Sequence, residues 1–195
     1  MKSKKTAKIG IACSIFRKEI ESLQKQKLIN IPFRYIGSML HMKPEVLDNR
    51  LKEATEKERQ NRDDIVLVYG DCCPHMHELE TDEHIVRVCG LNCCEILLGS
   101  GRYRRLRSEG AFFLMPEWTL RWREVFQHHL GLEGDNARPF MKEMHTKLIY
   151  LDTGLFPVPE SHLDEISGYT GLPVEIMQVS LDQLMVAIKN VEKKQ

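Results

Sequence analysis

The sequence predicts an α/β protein built on parallel strands, and three observations predict it. Short apolar, β-branched runs stop abruptly at Gly, Pro or Asp, Ile65-Val-Leu-Val-Tyr69 before Gly70-Asp71 being the plainest; strands buried on both faces read this way. These runs alternate with longer segments whose apolar residues recur every three or four positions, which puts helices between strands and makes the strands parallel. No internal repeat, low-complexity linker or break in composition divides the 195 residues. One domain spanning 1–195 is therefore expected, long enough to bury a core without staples. The expected architecture is a mainly parallel sheet with helices on both faces, a three-layer sandwich of Rossmann-like or flavodoxin-like type.

Each element has its own signal. Lys8-Ile-Gly-Ile-Ala-Cys13 reads as the first strand, and Ser14 is placed to cap a helix carrying Ile15, Phe16, Ile20 and Leu23. Ile29 to Ile36 is the second strand, and Pro32 puts it near an edge or makes it start late. Pro44 opens a polar helix to about Asn61, dense in Glu, Lys and Arg at spacings of three and four. After the third strand, Pro74 to Glu80 reads as a loop with a short helix, and Ile85 to Gly90 as the fourth strand with Cys89 inside it. A helix is expected from Ile96 to about Arg107, a fifth strand over Ala111–Met115, and a helix from Glu117 to Leu130 bearing Trp118, Trp122, Val125 and Phe126. A short helix with Met141 and Met144 leads to the sixth strand, Lys147–Asp152. Ser161 caps a helix ending near Gly168–Gly171, and Pro173–Val179 and Leu181–Val191 complete the chain as strand and helix.

Composition excludes several classes of function. Lysine plus arginine equals aspartate plus glutamate, 28 of each, so no net field recruits nucleic acid. No apolar stretch is long enough to span a membrane. Met1-Lys-Ser-Lys-Lys5 runs into a strand rather than the core of a signal peptide, so a cytoplasmic protein is expected. In that reducing compartment six cysteines point to a metal or to catalysis rather than to disulfides. The doublets Cys72-Cys73 and Cys93-Cys94 also resist pairing within themselves.

The chemistry concentrates beyond the strand ends. Cys13, Cys72 and Cys93 each fall just past an apolar run, and His41 follows the second. In open α/β sheets the ligand crevice lies at those carboxyl ends, so the thiols are expected to converge on one metal, with His41, a substrate or water in the remaining position. Against this stands the ordinary use of free cysteine as a small buried hydrophobe. Cys73 and Cys94 can replace their neighbours, since a turn decides which side chain faces inward. Asp71 and Glu95 are the candidate acid/base groups, although a Glu in the first turn of a helix also complements its dipole. Cys89 reads as core. His75 and His77 tempt a Cys-x-x-His reading that Pro74 works against, and His128 and His129 read as surface residues at a helix end. Gly99-Ser-Gly101 with Arg102, Arg104, Arg105 and Arg107 lacks the preceding strand of a dinucleotide fingerprint and reads as a solvated basic face.

Together these residues resemble a family, the domain of unknown function 1638. The resemblance rests on Ala12-Cys13, Leu40-His41 with Pro44, Tyr69-Gly-Asp-Cys72, Asn92-Cys93-Cys94-Glu95 with Gly99, Phe112-Phe-Leu114 and Tyr150-Leu-Asp-Thr-Gly154, and it spans residues 8 to about 188. It favours Cys72 and Cys93 within the doublets, with Cys73 standing where the family has glycine and Cys94 where it has an aromatic. Met115-Pro116 replaces a usual Leu-Thr pair. The resemblance implies proteins of anaerobes and methanogens, encoded near corrinoid-dependent methyltransferases, and so a corrinoid or methyltransferase system as partner. It supplies no activity, and whether the chain is an enzyme stays open. The expected function is a cysteine-ligated centre, an iron–sulfur cluster first and zinc second, in anaerobic sulfur or one-carbon metabolism. The alternatives are a metal-free enzyme with a nucleophilic cysteine and a non-catalytic accessory protein of a larger metalloenzyme.

Overall fold

The computed structural model describes residues 8–61 and 64–193; the basic start, Met1 to Lys5, lies outside them. In chain order the elements are β1 (Lys8–Cys13), α1 (Arg17–Lys25), β2 (Phe33–Ile36), α2 (Pro44–Gln60), β3 (Asp64–Val68), α3 (Met76–Leu79), β4 (Ile85–Arg87), α4 (Cys93–Leu98), α5 (Ser100–Ser108), β5 (Ala111–Leu114), α6 (Pro116–Thr119), α7 (Ala137–Met144), β6 (Lys147–Asp152), α8 (Glu160–Thr170), β7 (Val174–Gln178) and α9 (Asp182–Glu192). Every strand pairing is parallel. The class is α/β, as the alternation of elements requires.

The strands divide between two sheets, one in each of two compact units. The first unit comprises the chain up to Gly99 together with Leu181 onward. Its four strands lie in the order β2-β1-β3-β4. All five residues of β3 are buried, as are the last five of β1, so both faces of the sheet centre are covered. Helices α2 and α9 both pack on β3, and α9 also packs on α4. β2 is at the edge, where Pro32 placed it. It is shorter than expected, and Pro32 contributes only its carbonyl, which accepts from the Gly10 amide at 2.8 Å.

The second unit, Ser100–Ser180, carries β5-β6-β7 in sequence order. The central β6 is buried from Leu148 to Asp152, whereas β7 is half-exposed. Trp122 packs here, its ring 5.2 Å from that of Tyr169, with its indole N–H donating to Glu165 at 3.0 Å. Trp122 is thus a packing residue, as its helical spacing suggested. Arg102, Arg104, Arg105 and Arg107 form an exposed face on α5.

Several boundaries differ from the sequence expectation, each for a local reason. The helix expected over Ile96–Arg107 is two helices, broken at Gly99 with φ +77°. A β-carbon there would meet the Gln183 amide at 2.8 Å, so a side chain is disfavoured by both conformation and space. The helix expected over Glu117–Leu130 ends its first part at Thr119, whose hydroxyl and amide both bond the Met115 carbonyl. It resumes as a wider π-helical turn over Glu124–His129. Ser14 does not cap a helix. Its Oγ accepts from the Ser38 amide at 2.8 Å, tying the 3-10 turn Ser38–Met42 to the exit of β1. Ser161 sits inside α8, which starts one residue earlier after Pro159. Cys89 is not core: β4 stops at Arg87, the Val88 amide makes one more bond to Leu67, and Cys89 is exposed.

Candidate functional site

The chain leaves β1 outward to β2, then returns across the sheet to β3 and continues to β4. Connections therefore depart from β1 and β3 in opposite directions, which makes their carboxyl ends the topological switch point, where open α/β sheets form a ligand crevice. Cys13 is the last residue of β1. Ala12 pairs with Val68, so one step further Cys13 stands beside Tyr69, and in parallel neighbours such positions project to the same face.

The next turn brings the other two thiols in. The Asp71 amide donates to the Leu91 carbonyl at 2.9 Å, laying the segment before α4 against Gly70. A β-carbon on Gly70 would lie 2.4 Å from the Leu91 carbonyl oxygen and 2.6 Å from the Asn92 Cα. Only glycine permits that approach, and it lays the turn that carries Cys72 against the segment that carries Cys93. Asn92 caps α4, accepting from the Glu95 amide at 3.0 Å, while Glu95 Oε2 accepts from the Leu91 amide at 2.9 Å. This reciprocal pair works as a capping box does, satisfying amides at both ends of the turn.

Three thiols meet there. Cys93 and Cys13 share a hydrogen bond, and Cys72 acts electrostatically on both Cys93 and Tyr69. Cys13 and Cys72 are buried. Burial, then the neighbouring Cys13, push the Cys72 thiol up to about 12. The Cys93 thiol is also pushed upward, first by its bond to Cys13 and then by burial. The cause is common to both: a thiolate here would be desolvated and would face a second sulfur. Cys72 and Cys93 are therefore neutral thiols here. Among the described residues no group of three or more His, Cys, Asp or Glu side chains is placed to hold a metal ion.

The two members of the first doublet face different partners. Cys73 turns toward Asp48 on α2, and burial followed by that carboxylate pushes its thiol up to about 11. Asp48 is itself buried, held at 3.0 Å by both Lys52 Nζ and His75 Nδ1. Burial opposes its ionisation, but the hydrogen bonds from Lys52, His75 and Cys73 outweigh it, and its carboxyl lies below the ordinary carboxylate range. Cys94 is half-buried beside Cys93.

The remaining expected residues divide between the cluster's edge and its supports. His41 lies in the turn tied to the exit of β1, and burial lowers its imidazole, which keeps it neutral and able to ligate. Asp71 is exposed and pairs with Arg87 at 2.8 Å, and Arg87 also holds Glu80 at 3.1 Å. Glu95 is 3% exposed, with one carboxylate oxygen engaged by the Leu91 amide. Asp71 thus orients a guanidinium whose charge favours the Cys72 thiolate, and Glu95 shapes the turn that carries Cys93.

Tyr69, Asp48 and Arg87 escaped the sequence reading. Tyr69 enters the site through the β1–β3 register, which depends on a strand order the sequence does not show. Asp48 gave no local signal, since on α2 it looks like one more acid of a solvated face. No curated protein and no solved structure matches the chain. A family match covers residues 35–188, a span that holds His41, Cys72 and Cys93 and begins after Cys13. The chain belongs to this family of proteins of unknown function, DUF1638.

Proposed function

We propose that the protein holds a single soft metal ion on the thiolates of Cys13, Cys72 and Cys93, leaving one coordination position open. The observation that carries this reading is the hydrogen-bonded Cys13–Cys93 pair with Cys72 beside it at the β1/β3 switch point. Two sulfurs close enough to share a hydrogen bond suit one tetrahedral ion, whose thiolates lie about 3.8 Å apart when the metal–sulfur bond is near 2.3 Å. That favours zinc over an iron–sulfur cluster, which spreads its cysteines over separate irons. The electrostatics argue the same way. A divalent cation offsets both the burial and the sulfur–sulfur repulsion that hold Cys72 and Cys93 neutral. A metal-free nucleophile needs the opposite, a thiol that ionises readily.

The ion would supply Lewis acidity toward whatever occupies the open position. His41 stays neutral at the same sheet edge, and Arg87, held by Asp71 and Glu80, biases Cys72 toward thiolate. Sulfur and methyl-group transfer are the reaction classes such a centre serves, and a corrinoid or methyltransferase partner fits within them.

The test is elemental analysis of protein purified without oxygen and without a metal-binding tag. About one zinc per chain is expected, abolished by Cys13→Ala, Cys72→Ala or Cys93→Ala and retained in Cys89→Ala. Iron with matching sulfide would replace the single ion by a cluster. Less than about 0.2 metal per chain would end the reading, the margin allowing for loss from a site whose ligands must deprotonate.

A further inference from the structure

Tyr69 forms the inner wall of the thiol cluster and makes no use of its hydroxyl. The residue is 1% exposed. Its hydroxyl finds no hydrogen-bond partner among the described residues, so the bonds it makes in water are forfeited on folding. The place of that hydroxyl is well defined. Tyr69 stands next to Cys13 across the β1–β3 register, and the sulfurs that act on it are those of Cys13, Cys93, Cys72 and Cys73, in falling order. It is within electrostatic reach of these sulfurs and bonded to none, which leaves a buried donor unused beside the cluster. A phenol replaced by phenylalanine would fill the same wall without that cost. The hydroxyl therefore has a use that the protein atoms do not supply.

We propose that the Tyr69 hydroxyl is the hydrogen-bond donor to a fourth, non-protein ligand of the metal, and that this ligand is the thiolate of a small thiol. The inference rests on the three-cysteine centre proposed above. An ion with three thiolates carries net negative charge, so a hydrogen-bond donor beside the open position stabilises a further anionic ligand there. Tyr69 is a donor fixed in place before the ligand arrives. A soft ion prefers sulfur to oxygen in the open position, and the sheet face beside it is apolar, with Ile11, Leu67 and Tyr69 all buried. Binding is a ligand exchange: the thiol S–H bond breaks, its proton passes to the buffer, and sulfur replaces water on the ion. No electron is transferred.

The experiment uses full-length protein loaded with Co(II), whose visible spectrum reports tetrahedral sulfur ligation, and ethanethiol as the probe. Wild-type protein is expected to take up one Co(II) with thiolate charge-transfer bands, and its ligand-field bands are expected to shift on titration with ethanethiol. Tyr69→Phe should bind Co(II) within about threefold of wild type, melt at the same temperature or higher, and bind ethanethiol about tenfold more weakly, in the range expected for losing a hydrogen bond to a charged acceptor. A Tyr69→Phe protein with unchanged ethanethiol affinity overturns the inference while leaving the metal centre standing. So does a wild-type Co(II) protein that ignores ethanethiol. Failure of wild type to bind Co(II), or uptake that survives Cys93→Ala, overturns the metal centre itself and the inference with it.

Discussion

Residue by residue, the thiols of this chain are separated by environment rather than by sequence. Cys72 and Cys73 are adjacent, yet one joins Cys13 and Cys93 while the other bonds a buried carboxylate on α2. Both are pushed upward, to about 12 and about 11, so both are neutral thiols at physiological pH. Cys89 is exposed and lies in neither set. The consequence is a specific order of chemical reactivity. In metal-free protein, iodoacetamide at pH 7.5 should modify Cys89 first, with Cys72 and Cys73 slower by at least about tenfold, because the thiolate is the reactive form. Mass spectrometry of timed samples measures this directly. Rapid modification of Cys72 ahead of Cys89 would show a thiol activated without metal and would favour a nucleophilic cysteine over a ligand.

At the scale of elements, the site depends on one tight contact between two connecting segments. The Asn92–Glu95 cap and the close passage past Gly70 together fix where α4 begins, and hence where Cys93 points. Removing the cap with Asn92→Ala should cost about 1 kcal/mol. Gly70→Ala should cost more, roughly 1–3 kcal/mol, because its β-carbon meets backbone that cannot rotate away. Thermal melts of the metal-free variants measure both costs. Equal stability of Gly70→Ala and wild type would mean that the two segments do not pass so closely. Much at this scale was legible in the sequence. Pro44 marked the start of α2 and Pro32 the edge position of β2, because proline acts through local backbone rules. Gly99 was read as part of one helix because an isolated glycine leaves helical periodicity intact, and its positive φ is set by packing against α9. Cys89 was read as core because Ile85-Val-Arg-Val alternates as a strand should. What exposes it is the end of pairing with β3, a fact about the neighbouring strand.

For the molecule as a whole, the sequence carried the class but not the partition. Alternating strands and helices imply parallel pairing, and every pairing is parallel. How many sheets the strands make depends on which edges meet, and that is not a local property. The order β2-β1-β3-β4 is likewise absent from the sequence, yet it is this order that puts Cys13 and Cys72 at one switch point. The proposed ligands all belong to the unit formed by the chain up to Gly99 with Leu181 onward, and so the energetic signature of metal uptake has a predictable place and sign. In the metal-free protein Cys72 and Cys93 are held protonated above their ordinary range. An ion must displace those protons, so affinity rises with pH: about tenfold per pH unit for each proton released, and at least about a hundredfold for the two from Cys72 and Cys93, across roughly pH 6 to 8. Competition against a chelator at several pH values measures that slope. At saturating zinc the folded state gains about 2.7 kcal/mol when free metal is a hundred times the dissociation constant. Hydrogen exchange should register that gain as slower exchange in β1, β3 and the turns at 70–73 and 91–95. A pH-independent affinity would mean that the ion binds groups already ionised, away from these thiols. Protection confined to Ala111–Gln178 would place the site on the other sheet.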